Sequence, residues 1–140
     1  MVRSTKLGLI AITCLCAGMA QAQSDQKAIK AMFQKQASAM GTGNIAAYMS
    51  TIDTTIPAYS QTETMMRKLF SVYKLKATIE RLKVGPIKGT TAQVEMVLLT
   101  KKVSGPAFKN NRTTITSLVN KRSGKWVTSD SKIDKIEYLK

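Results

Sequence analysis

The sequence predicts an α+β domain with helices first and an antiparallel meander of strands second. Apolar residues recur at helical spacing from Ser24 to Tyr73 and then switch to strand spacing from Lys76 to Leu139. Short turn-forming segments at Gly85-Pro86, Ser104-Gly105-Pro106 and Arg122-Ser123-Gly124 cut the second half into four pieces.

The first helix is carried by Ser24 to Met40, where Ile29, Met32, Phe33, Ala37 and Met40 fall on one stripe. Ser24 and Asp25 suit its start and Gly41 its stop. Beyond Gly41-Thr42-Gly43, Asn44 is a candidate cap for a shorter helix with Ile45, Tyr48, Met49 and Ile52 on one side, running into a loop near Asp53. Ser60 and Glu63 have the spacing of a capping box ahead of Met65, Met66, Leu69, Phe70 and Tyr73, which makes a third helix. The strands follow as Lys76 to Val84, Thr91 to Val103, Arg112 to Lys121 and Lys125 to Leu139. The run Thr113 to Thr116 is β-branched throughout and fits a pleated surface.

Residues 1–22 read as a secretory signal. Arg3 and Lys6 precede the apolar run Leu7 to Ala17, and Ala20-Gln21-Ala22 offers small residues for cleavage before Gln23. The expected mature chain is a single domain, residues 23–140, that is periplasmic or secreted. It should not span a membrane: the leader's apolar run is short, and no later segment approaches the roughly 20 apolar residues of a transmembrane helix. Cys14 and Cys16 both leave with the leader, and Thr13 and Leu15 in front of them fit a lipid-attachment motif poorly. A small exported domain without disulfides points to a bacterial periplasm.

The leader holds two of the 22 basic residues and none of the eight acidic ones, so the mature domain carries a net charge of +12. The bases are scattered, and the aromatics sit at apolar positions rather than between them, which argues against nucleic acid as a partner. Expected partners are a small-molecule ligand or an anionic envelope component.

The segment Gly41 to Asp53 after an amphipathic helix, the strand Thr91 to Leu99 and the closing stretch Ser123 to Leu139 resemble the SnoaL-like branch of the nuclear transport factor two-like superfamily. The similarity runs from about Ile29 to Leu139. It implies a cone-shaped α+β roll, with three N-terminal helices packed on a curved antiparallel β-meander around a cavity. Members of that superfamily use the cavity for polyketide cyclisation, steroid isomerisation, dehydration or plain binding, so fold membership does not give function.

Histidine is absent and no cysteine survives in the mature chain, which removes Ser-His and Cys-His nucleophiles and the usual zinc sets. No metal or other cofactor is expected. Asp53 is the most interesting acid. Half-buried among Tyr48, Ile52 and Tyr59 it would have raised proton affinity and could act as a general base, with Tyr48 or Tyr59 donating to an oxyanion. Alternatively it starts the Thr54-Thr55 turn.

Trp126 alternates with Thr128 and Asp130 along the last strand. It either fills the core or lines the pocket, and if its face is the inner one Asp130 points inward too. Six methionines, Met32, Met40, Met49, Met65, Met66 and Met96, fall on apolar stripes, as core or as an adaptable pocket wall. The candidate pocket is therefore Tyr48, Asp53, Tyr59, Trp126 and Asp130.

The resulting expectation is a non-catalytic binder of an apolar small molecule, neutral or anionic, or of an envelope component. The alternatives are a cofactor-independent lyase or isomerase using Asp53 as its base, and an electrostatic adaptor on anionic envelope surfaces. Apolar residues on both faces of the long strand suggest a homodimer through the outer face of the sheet.

Overall fold

The computed structural model describes residues 10–140, with side chains from residue 17 onward; the start of the proposed leader, residues 1–9, lies outside the described residues. The order is α1 (Ile10–Thr42), α2 (Ile45–Met49), α3 (Tyr59–Val72), β1 (Lys74–Val84), β2 (Thr91–Ser104), β3 (Asn111–Arg122) and β4 (Lys125–Tyr138). The strands form one antiparallel sheet in the order β1-β2-β3-β4. This is the helices-then-meander α+β fold.

Two helix boundaries differ from expectation. Asp25 is not a helix start: α1 is already helical from Ile10, although residues 17–24 are exposed throughout and Asp25 is the first described residue to be buried. The Ser60–Glu63 capping box does not form, because α3 starts at Tyr59 and Ser60 is already inside it. Glu63 instead accepts from Arg67 one turn on, at 2.6 Å. The stop of α1 falls two residues past Gly41. Gly43 takes a φ of +67° and Asn44 N–H returns to Ala39 O at 3.0 Å, the six-to-one bond of a Schellman ending. Asn44 caps α2 as expected, its Oδ1 accepting from Ala47 N–H at 3.0 Å.

Alternation along β2 decides which face of the sheet meets the helices. Ala92, Val94, Met96 and Leu98 are buried and join Ile29, Met32, Phe33 and Ala37 of α1, with Val119 and Trp126, in one core. Val97 and Leu99 face the other way, across from Arg81 and Arg112, whose guanidinium groups are bound to Glu95 and Glu80.

Register shifts mark bulges in β1 near Glu80 and in β4 at Ser129 and Asp134. Each adds a residue to one strand, which bends the sheet around α1. The bulge at Ser129 also inverts the alternation of β4. Thr128 pairs with buried Val119 and Ser131 with buried Ser117, whereas Asp130 pairs with exposed Leu118. Trp126 and Asp130 therefore do not share a face.

Candidate functional site: an apolar cleft between α3 and the sheet

α3 packs on α2 and stands off from the strands, leaving a cleft of about 760 Å³ between it and the inner face of β2, β3 and β4. Met66, Leu69, Ile52, Ile56, Met96, Leu98 and Ile115 form its apolar wall. Met65 on α3 and Ile133 on β4 stand at its rims with about 60% of their surface exposed. Exposed apolar rims on both sides of a concave apolar surface are what a ligand site presents before it is filled.

The polar groups of the cleft are uncharged except for Asp130 at its rim. Ser117 Oγ and Ser131 Oγ share a hydrogen bond of 2.9 Å between adjacent strands, which leaves one of the two hydroxyl hydrogens available. Gln36 from α1 donates to Thr51 Oγ1 at 3.0 Å, freeing its amide oxygen. Thr128 Oγ1 makes only a long contact of 3.6 Å to Met32 Sδ.

Tyr48 of α2 lines the cleft, with its ring edge-on to Phe70 at 6.0 Å. Its hydroxyl makes no hydrogen bond among the described residues, and burial alone pushes the phenol above its ordinary range. At neutral pH Tyr48 thus keeps its proton and remains a hydrogen-bond donor on a residue that lines the cleft.

The other candidates named from the sequence lie elsewhere. Tyr59 opens α3 and does not line the cleft. Asp130 reaches only the rim, and its exposed carboxylate accepts from Ser131 N–H at 2.9 Å.

Trp126 is sealed in the core against α1, its Nε1–H donating to Asp25 Oδ1 at 3.0 Å while Lys121 Nζ lies 3.1 Å from the same oxygen. The indole donor is the main influence that holds the Asp25 carboxyl below its usual range. Trp126 is a core plug with a satisfied N–H, so its emission should not respond to a ligand in the cleft.

Asp53 is also outside the cleft and is 1% exposed. Burial by itself would raise its proton affinity, but four donors outweigh that. Thr55 N–H at 2.9 Å and Thr55 Oγ1–H at 2.7 Å reach Oδ1, while Ser129 Oγ–H at 2.8 Å and Arg122 Nε–H at 3.1 Å reach Oδ2. The carboxyl is held well below its usual range, opposite to the raised affinity expected for a base. With both oxygens filled, Asp53 is a staple. It fixes the loop after α2 to the β3–β4 hairpin, helped by Asp53 N–H to Thr128 O at 2.9 Å and Thr128 N–H to Thr51 O at 2.8 Å.

Among the described residues no three acidic side chains gather as a metal site, and no helix is long and apolar enough to cross a membrane.

The sequence matches, over residues 31–139, the family described as the C-terminal domain of the anti-sigma-I factor RsgI9. The chain belongs to that family. The RsgI9 C-terminal family thus accounts for nearly all of the domain and none of residues 1–30. No curated protein matches this member of the RsgI9 C-terminal family in sequence.

Solved structures agree on its fold. A protein of unknown function from Mycobacterium tuberculosis superposes with a TM-score of 0.74 at 9% identity, covering 86% of this chain and 76% of that one. A proposed scytalone dehydratase of Novosphingobium aromaticivorans gives 0.70 at 10% identity, over 84% of this chain and 89% of that one. An NTF-2-like protein of unknown function from Shewanella oneidensis gives 0.61 at 19% identity, over 76% and 96%. At these identities the likeness shows the nuclear transport factor two-like fold and nothing finer.

Proposed function

We propose that the mature domain is an exported, periplasmic binding protein whose cleft holds a largely apolar, uncharged molecule with an oxygen in reach of Tyr48. The observation that carries this reading is the Tyr48 hydroxyl, without a hydrogen bond among the described residues, on the wall of a largely apolar cleft of 760 Å³ whose one charged lining residue, Asp130, stands exposed at the rim. The hydroxyl is not sealed from solvent, so an acceptor on the ligand would take the place of solvent there. The methionine share of the wall suits a flexible or variable apolar shape.

Binding is favoured over turnover because Asp53, the one acid with the surroundings of a base, is spent on four hydrogen bonds away from the cleft. Export is supported by the leader pattern of residues 1–22 and by the exposure of residues 17–24, which contribute nothing to the core.

Native mass spectrometry of the protein purified from its own periplasm tests both parts. The expected result is a polypeptide beginning at Gln23 carrying a small neutral adduct, with the adduct lost in Ser131→Phe, which blocks the cleft from its edge. A lipid-modified Cys14 or Cys16 at the amino terminus would overturn the localisation. A bare protein that also leaves an apolar reporter dye undisplaced by medium-chain ketones and alcohols would overturn the binding reading.

A further inference from the structure

The sheet has two edge strands, and they are finished differently. β1 carries Lys74, Lys76, Arg81 and Lys83 against the single acid Glu80, an excess of one sign that keeps a second strand away. From Ser131 to Tyr138, β4 is balanced, with Lys132 and Lys135 against Asp134 and Glu137. Thr51–Asp53 take the edge of β4 only as far as Thr128. Beyond that point the strand has no backbone partner except β3 among the described residues.

The bulge at Asp134 gives this open stretch a symmetry of its own. The inserted residue puts Asp134 and Lys135 together on the outer face with Lys132 and Glu137, and it leaves Ser131, Ile133, Ile136 and Tyr138 on the inner face. Directly opposed residues of antiparallel strands share a face. A reversed copy of the stretch, centred between Asp134 and Lys135, meets that condition throughout. Ile133 falls opposite Ile136, Ser131 opposite Tyr138, Lys132 opposite Glu137 and Asp134 opposite Lys135, so each lysine faces an acid. A shift of one or two residues in either direction sets an inward side chain against an outward one.

From this self-complementarity we propose that two copies of the chain pair antiparallel through residues 131–138 of β4, joining their sheets edge to edge about a two-fold axis at the bulge. The exposed Ile133, Ile136 and Tyr138 supply the apolar contact, and main-chain hydrogen bonds supply the rest. Within one chain Lys135 meets Glu137 at 2.7 Å and Lys132 lies 4.0 Å from Asp134. These exposed pairs are weak, and in the pairing each lies against its counterpart with the signs reversed, so the charges are shared rather than broken. The copy also completes the cleft. Ser131 and Ile133 line it, and the pairing sets Tyr138 and Ile136 of the second copy beside them at the open rim. The pairing itself does not depend on what the cleft binds.

Disulfide trapping reads the register. In a chain carrying Cys14→Ser and Cys16→Ser, which then has no cysteine, Lys132→Cys mixed with Glu137→Cys should give a cross-linked dimer under mild oxidation. Either variant alone should give none, because like positions lie about 17 Å apart in this register, beyond the reach of a disulfide. Sedimentation across the micromolar range should show monomer and dimer in equilibrium, as a small interface implies. Ile136→Lys, at a residue outside the cleft, should raise the dissociation constant by at least about tenfold, and unshifted Trp126 emission verifies that the core of this variant is intact. A wild type that stays monomeric throughout, trapping no greater in the mixture than in either variant alone, or a dimer broken by Val97→Lys on the outer face but not by Ile136→Lys would each overturn the proposal.

Discussion

The two ends of β4 are built in opposite ways. From Trp126 to Thr128 three consecutive residues are buried, and the strand is hydrogen-bonded on both edges, to β3 on one side and to Thr51–Asp53 on the other. From Asp130 to Tyr138 the same strand has only β3 beside it, and Ile133, Ile136 and Tyr138 are exposed. The change occurs at the Ser129 bulge, where the staple to Asp53 ends. One half of the strand is a foundation in which every polar group is matched. The other half borders the cleft with Asp130, Ser131 and Ile133. Stability should reside in the first half and binding in the second.

The largest departure from wild type should come from Trp126→Ala, which removes a large core side chain and takes the indole donor from the Asp25 carboxylate, leaving it Lys121. A loss of about 3 to 5 kcal/mol in urea unfolding is expected, with ligand affinity of the surviving folded protein little changed. Selective loss of binding at full stability would break the comparison.

Asp53→Asn comes next, at about 2 kcal/mol, because charge-assisted bonds to Arg122, Ser129 and Thr55 weaken while the shape is kept. Its pH dependence follows from the lowered carboxyl. The unfolded group titrates near 3.9 and the folded group lower, so the stabilisation is fully present above the unfolded value and is lost as pH falls towards the folded one. Wild type and Asp53→Asn should therefore converge in stability as the solution is acidified below about pH 4. A gap that stays constant through that range would show that the charge contributes nothing.

Smaller effects are expected at the open half. Tyr48→Phe removes a hydroxyl that supports no described contact, so stability should move by less than about 0.5 kcal/mol. Affinity for a ligand bearing a carbonyl should fall by roughly fivefold, the worth of one hydrogen bond. Ile133→Ser should leave unfolding within about 0.5 kcal/mol of wild type while weakening apolar ligands. A large destabilisation from either would show that the open half is core after all. Least visible of all is self-association through the outer face of the sheet. With Val97 and Leu99 flanked by the Arg81–Glu95 and Arg112–Glu80 pairs, a dimer through that face would have to desolvate those charges, and sedimentation of Ile136→Lys should show it only as a weak, salt-sensitive species.

The strands and their turns were legible because their signals are local. Alternation in Ala92 to Leu98 marks a strand, although apolar residues on both of its sides left the inner face open, and Ser123-Gly124 supplies the two positive φ angles, +50° and +76°, that a two-residue hairpin turn demands. The site was less legible for two reasons. A single inserted residue reverses every later side chain in a strand, so projecting Trp126's face onward to Asp130 fails at Ser129. Partners far apart in sequence also leave no local trace: Trp126 meets Asp25 across 101 residues and Asp53 meets Ser129 across 76. One signal was available and passed over. Ser117 stands between Ile115 and Val119 at an inward position of β3, and a hydroxyl in an otherwise apolar row marks either a partner or a cavity.

The bond between Trp126 and Asp25 also sets an order of events. Its two residues sit near opposite ends of the domain, so the first helix can find its anchor only after the last strand exists. A chain ending at Gly124 should accordingly keep helical circular dichroism yet lose cooperative unfolding, whereas the complete chain regains it. Until its final residues arrive, the polypeptide has little reason to become compact, and the proposed export, in which the chain would thread a membrane channel unfolded, would benefit from that delay.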